Sequence, residues 1–137
     1  MNIKSKLDEI GLTPENSIVI GSGILNALNI RESNDIDLVV DESSYIRLSQ
    51  DPRFKKTENH GKEILADETF EIGTSWTQLG NVWKFENLLD KSVVLDGVRY
   101  HALEFLLEVK QSWLKDADVR QKDVEDVKLI EEYLQVK

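Results

Sequence analysis

Residues 18–38 read Ile18-Val19-Ile20-Gly21-Ser22-Gly23-Ile24-Leu25-Asn26-Ala27-Leu28-Asn29-Ile30-Arg31-Glu32-Ser33-Asn34-Asp35-Ile36-Asp37-Leu38, and Val39-Val40 follow. The β-branched run Ile18–Ile20 predicts a buried strand, which Gly21-Ser22-Gly23 breaks at once. Ile24, Leu25 and Leu28 then share one helical face until about Ile30. After the polar connection 31–34, Asp35, Asp37 and Val39 alternate with Ile36, Leu38 and Val40. Side chains two apart on a strand point to the same face, so this is a second strand that carries two acids.

The order strand, glycine turn, helix, acidic strand supplies what metal-assisted phosphoryl transfer needs. Glycine lets a phosphate approach the main chain, and N–H groups at a helix start can hold its oxygens. Ser22 adds a hydroxyl donor. Carboxylates on one strand face, about 7 Å apart at the backbone, can converge on magnesium, which prefers oxygen ligands. Taken singly, a glycine turn or an Asp-x-Asp is common in structural roles; the weight lies in the combination.

Outward from this stretch, Ile3, Leu7 and Ile10 predict a first helix stopped at Gly11, and Thr13–Asn16 a turn. Tyr45–Leu48 reads as helix, Lys62–Leu65 and Thr69–Trp76 as extended, and Val93–Leu95 with Val98–Tyr100 as two short strands around Asp96-Gly97. Leu103, Leu106, Leu107, Lys110 and Trp113-Leu114 describe one amphipathic helix. Val124, Val127, Ile130 and Leu134 describe another, starting near Asp118 or Arg120. Without repeats or linkers, 137 residues with 40% apolar content suit a single domain over 1–137.

Composition restricts the partners. Seventeen basic and 26 acidic residues give a net charge of -9, which repels phosphate chains, so extended nucleic-acid binding is not expected. Small anions can still be met locally. The absence of cysteine removes disulfides, thiolate zinc sites and cysteine nucleophiles. With no targeting pattern and no apolar run of about 20 residues, a cytoplasmic protein without membrane association is expected.

Gly21-Ser22, a spacer of twelve residues and Asp35-Ile36-Asp37 resemble the signature of the DNA polymerase beta-like nucleotidyltransferases. Arg31 before the acids is similar to the small bacterial, minimal members, as is Arg120-Gln121-Lys122-Asp123 with Asp126. Residues 43–87 add little to the likeness. The resemblance implies an α/β (α+β) nucleotidyltransferase fold: a short mixed sheet flanked by helices, with a C-terminal helical pair. It also implies magnesium, two ions in an active enzyme, a nucleoside triphosphate and a hydroxyl acceptor of unspecified identity.

Asp35 and Asp37 are the implied catalytic metal ligands. Glu71, or else Asp67, would be the third carboxylate. Gly21 and Ser22 would hold phosphates, and Lys110, Arg120 and Lys122 would neutralise them, surface ion pairing being the other role open to these three. His60 and His101 are isolated in the sequence and read as structural or exposed. Trp76, Trp83 and Trp113 read as core or interface anchors rather than base-stacking platforms. The alternative to an enzyme is a catalytically inactive nucleotide-binding or regulatory module of the same fold. One half of a two-protein, toxin–antitoxin-like system is one form such a module can take; a homodimer or a partner protein is compatible with the chain.

Overall fold

The computed structural model describes residues 1–136. Along the chain run α1 (Ile3–Glu9), β1 (Ser17–Ile20), α2 (Gly23–Ala27), β2 (Ile36–Val40), α3 (Glu42–Ser49), β3 (Lys55–Asn59), β4 (Lys62–Ala66) and β5 (Phe70–Gly73). They are followed by β6 (Ser75–Gln78), β7 (Asn81–Lys84), α4 (Phe85–Leu88) with a 3-10 turn at Leu89–Lys91, β8 (Ser92–Leu95), β9 (Val98–His101), α5 (Leu103–Trp113) and α6 (Gln121–Val136). Local chemistry marks several starts. The Asn2 side chain accepts the Ser5 N–H at 3.0 Å ahead of α1, and Asp41 accepts that of Ser44 at 2.9 Å ahead of α3, each satisfying an otherwise orphaned helix donor.

Seven strands form one mixed sheet in the order β3-β4-β5-β2-β1-β9-β8. β1 and β2 are antiparallel, whereas β2–β5 and β1–β9 are parallel. Alternation along the strands gives the sheet two buried faces. Val19, Ile36, Leu38, Phe70, Ile72 and Tyr100 enter a large cluster with α1, α2 and Ile130 of α6. Ile18, Ile20 and Val39 enter a second one with Phe85, Leu88, Phe105 and Val109, flanked by Trp76, Trp83 and Trp113. The tryptophans are therefore packing groups of the second face. Among the described residues no helix is long and apolar enough to cross a membrane.

Two expectations change. Thr69–Trp76 is not one strand: β5 stays in the main sheet, whereas β6 leaves it and pairs with β7 as a separate hairpin. Phe70 and Ile72 belong to the large cluster and Trp76 to the second, so a single straight strand could not serve both. The helix after the glycines is also shorter than predicted, ending at Ala27, and Asn29 there takes a positive φ of 58°.

The C-terminal helices are fastened to the first half of the chain by ions. Arg31 donates from Nε and Nη2 to the two carboxylate oxygens of Asp126 at 2.7 and 2.8 Å. Lys110 of α5 lies 3.0 Å from both Asp123 and Asp126 of α6, and Arg120 closes on Asp123 at 3.0 Å. Burial opposes the charge on Asp123 and Asp126, yet hydrogen bonds from Arg120, Arg31 and Lys110 hold both carboxyls below their ordinary value.

Candidate active site

β2 places Asp37 on the second face of the sheet, since its neighbours Ile36 and Leu38 point into the large cluster. The same parity acts on β5, where Phe70 and Ile72 are buried in that cluster and Glu71 emerges opposite. Asp37 and Glu71 are direct partners across the parallel β2–β5 pair, and Ile20 of β1 is the antiparallel partner of Asp37. The two carboxylates thus stand side by side at the strand end where β1 passes into Gly21.

Their electrostatics record the crowding. Burial, then the charge of Glu71 and a hydrogen bond with it, then the charge of Asp35, push the Asp37 carboxyl from 3.8 up to about 7. Lys122 is the smaller, opposing influence. A like charge beside a buried acid favours that acid's protonated form.

Asp35 lies one residue before β2 and is exposed. Among the described residues no three His, Cys, Asp or Glu side chains gather closely enough to hold a metal ion. Of the two candidates for third carboxylate, the structure brings Glu71 to the site. Asp67 is occupied elsewhere: it accepts Arg53 Nε at 2.8 Å and the N–H groups of Thr69 and Phe70 at 2.8 and 2.7 Å.

Gly21 has φ +69°, and a Cβ there would meet Asp37 Oδ2 at 3.3 Å. Glycine is required on two counts, the left-handed backbone and the close approach of the carboxylate. Beyond it, Ser22 Oγ lies 3.1 Å from Ser33 Oγ, and Ser33 Oγ donates to the Asp35 carbonyl at 3.0 Å. Since Ser33 has one hydroxyl proton and gives it to that carbonyl, Ser22 is the donor to Ser33. The relay ties the glycine turn to the acidic strand, and it commits the Ser22 proton unless a ligand turns it outward. Ser33 carries no motif of its own; only its place between the turn and the acids marks it.

The three cations separate. Lys110 is buried, clasped by Asp123 and Asp126 and set over Trp113 at 5.1 Å. Of the two roles open to it, this is ion pairing, and drawing it toward a phosphate would take a buried cation from two carboxylates that Arg31 and Arg120 also hold. Arg120 is two-thirds exposed and stands on the wall of a cleft of about 930 Å³ that Asp37, Glu71 and Trp76 also line. Lys122 is exposed and close enough to act on Asp37. The β6–β7 hairpin forms another wall. Gln78 fixes it to α5, accepting Trp113 Nε1 on its side chain at 2.8 Å and Trp83 Nε1 on its carbonyl at 3.0 Å.

His101, which the sequence left isolated, meets the backbone of the glycine turn from β9. It is fully buried, its Nε2 lies 3.1 Å from the Gly21 carbonyl, and its ring stacks on Trp76 at 5.7 Å.

No family model matches the sequence, and a search of curated proteins gives no match. Among solved structures, the chain is similar to an aminoglycoside nucleotidyltransferase, in the crystal structure of ANT(2")-Ia in complex with adenylyl-2"-tobramycin. The likeness has a TM-score of 0.57 at 17% identity, over 96% of this chain and 85% of that one. The fold is that of the nucleotidyltransferases, a mixed sheet flanked by helices with two helices at the C-terminus.

Proposed function

We propose that the protein is a magnesium-dependent nucleotidyltransferase that moves a nucleoside monophosphate from a nucleoside triphosphate to a hydroxyl group. The observation that carries this reading is the Asp37–Glu71 pair, two carboxylates held face to face beside a glycine turn with burial and mutual repulsion raising the first to about 7. Such a donor set fits a hard divalent cation, because both groups are oxygen ligands and ionisation of the pair needs positive charge. Asp37 and Glu71 would hold the metal, with Asp35 turning in as a third ligand. When bound, magnesium supplies charge neutralisation at the phosphates and at the attacking and leaving oxygens.

The chain's own groups account for the rest. The Gly21–Ser22 turn holds the phosphates, close to Asp37 because no side chain intervenes. Arg120 and Lys122 face the departing pyrophosphate. The acceptor oxygen bonds to the α-phosphorus, the bond from that phosphorus to pyrophosphate breaks, and the acceptor proton passes to Glu71, the more exposed of the paired acids. Asp116 and Asp118 on the cleft wall favour a neutral or cationic acceptor over an anionic one. Since the similar solved structure holds adenylyl-2"-tobramycin, aminoglycosides are the first acceptors to try.

A second reading, a nucleotide-binding or regulatory module without turnover, is favoured by one observation: the exposed Asp35 does not complete a three-carboxylate cluster with Asp37 and Glu71. Incubation with α-labelled nucleoside triphosphates, magnesium and a panel of hydroxyl acceptors decides between the two. Label transfer that disappears in Asp37→Asn and Glu71→Gln supports the enzyme. Magnesium-dependent nucleotide binding with no transfer to any acceptor supports the module.

A further inference from the structure

His101 is a buried imidazole that the proposed chemistry does not use. Its Nε2 contacts the Gly21 carbonyl at 3.1 Å, whereas its Nδ1 is buried with no hydrogen-bond partner. A carbonyl oxygen only accepts, so Nε2 must carry the ring proton and Nδ1 must be bare. Burial pushes the imidazole down to about 4, which keeps the ring in this neutral form at ordinary pH. The bare Nδ1 is a standing cost to folding, and a Leu or Phe at this place in an aromatic cluster would avoid it.

What the histidine provides is direction. β9 runs parallel beside β1, with Tyr100 opposite Val19, so His101 comes level with the last residue of β1 and meets the turn from the second face. Trp76 covers the ring nearly parallel, at 15°, and Phe105 lies 6.2 Å away on α5. Those contacts fix the imidazole, and the imidazole fixes the Gly21 carbonyl. In a trans peptide the following N–H points opposite to the C=O, and the described chain has no cis bonds. The Ser22 N–H is therefore turned away from His101. α2 has only five residues, so a helix dipole does little here, and the orientation of individual amides matters more.

We propose that His101 is a positioning residue: by donating to the Gly21 carbonyl from the β9 side of β1, away from the acidic strand β2, it sets the Gly21–Ser22 peptide so that the Ser22 amide faces the nucleotide phosphates. This rests on the nucleotide-binding reading above for its ligand, but its first half is measurable without one.

The test uses isotopically labelled full-length protein in chelator, free of nucleotide. A long-range nitrogen–proton spectrum should show one imidazole protonated at Nε2. In His101→Phe, the Ser22 amide resonance should shift or broaden and exchange faster while core amides such as that of Ile130 hold their positions. His101→Gln, whose amide can still reach Gly21, should restore the resonance. Should His101→Phe fail to fold, His101→Asn, a polar side chain too short to reach, replaces it in the comparison with Gln.

Calorimetry with magnesium and ATP should then show affinity lowered about tenfold in the variant lacking the bond, the loss expected for one misdirected donor to a charged group, and largely recovered in His101→Gln. An unmoved Ser22 amide in the donor-less variant overturns the proposal whatever happens with nucleotide. A displaced Ser22 amide with undiminished ATP affinity overturns its second half. Wild-type protein that binds no ATP or other nucleoside triphosphate overturns the nucleotide reading and confines His101 to holding the turn, which the Ser22 resonance decides separately.

Discussion

Replacing Asp37 by Asn keeps the shape of the side chain and deletes the charge that Glu71 and burial oppose. Moving the carboxyl from 3.8 to about 7 corresponds to about 4 kcal/mol at 1.36 kcal/mol per pK unit. Solvent at the open cleft and adjustment by Glu71 reduce the expected gain to about 2 kcal/mol. The sign follows from linkage: a folded-state value above the unfolded one means that the native protein holds the proton more tightly. The contribution of Asp37 to stability is thus full below about pH 4, falls as pH rises and levels off above about pH 7.

His101 acts in the other direction, since burial pushes it from 6.5 to about 4 and stability is lost as pH falls through that range. This dependence is common to wild type and variant, so it cancels in their difference. Urea unfolding in chelator should therefore show Asp37→Asn more stable than wild type at about pH 8, by about 2 kcal/mol or roughly 5–10 °C in Tm, and nearly equal at about pH 4. Magnesium should reverse the order at the higher pH, because a cation bound only by the native wild type stabilises it by mass action. If Asp37→Asn is no more stable than wild type at about pH 8 in chelator, the two carboxylates do not repel, and the electrostatic case for a cation between them fails.

Lys110→Met should cost about 2–3 kcal/mol in urea unfolding, because Asp123 and Asp126 lose a shared buried cation while keeping Arg120 and Arg31; a loss under about 1 kcal/mol would leave Lys110 free to meet phosphate. Gly21→Val should lower stability by about 1–2 kcal/mol through its left-handed backbone and should weaken magnesium–ATP binding measured by calorimetry, since its Cβ enters the space beside Asp37 Oδ2. Ser22→Ala should weaken that binding less than Gly21→Val does, because the hydroxyl proton already belongs to Ser33 and the backbone amide survives the substitution. Equal affinities in both variants and wild type would make the turn purely structural.

The legible part of the chain was the part where local pattern and tertiary role coincide. Ile18–Ile20, the glycines and Asp35–Val40 each state their own conformation, and the alternation Phe70-Glu71-Ile72 is visible in the sequence and matches the burial along β5. Residues 55–59 were not legible, because Lys55-Lys56-Thr57-Glu58-Asn59 forms an exposed edge strand whose side chains carry no apolar alternation; only its pairing with β4 makes it a strand. The β6–β7 hairpin was hidden for another reason, since Trp76 changes clusters within a stretch that alternates like a single strand. Lys110 looked available because a helical lysine is usually exposed. Its burial depends on α6 bringing two aspartates to it, a pairing that sequence spacing does not state.

The contrast among the acids gives the site its meaning. Asp67, Asp123 and Asp126 are each met by Arg or Lys, and each is held below the ordinary carboxyl value despite burial. The same chain therefore supplies cations to the acids that serve its architecture. At Asp37 it does the reverse: the direct strand partner is another acid, Asp35 adds to the repulsion, and Lys122 offsets only part of it. Nothing in the packing demands this, since Asp37 shares its face with Val39 and the apolar residues of the second cluster, where a neutral side chain would be tolerated. A protein that pairs its structural carboxylates and leaves these crowded beside a side-chain-free turn has an arrangement suited to a positive ligand from outside, and under the proposed function magnesium carrying a triphosphate would bring both the cation for the acids and the anion for the turn.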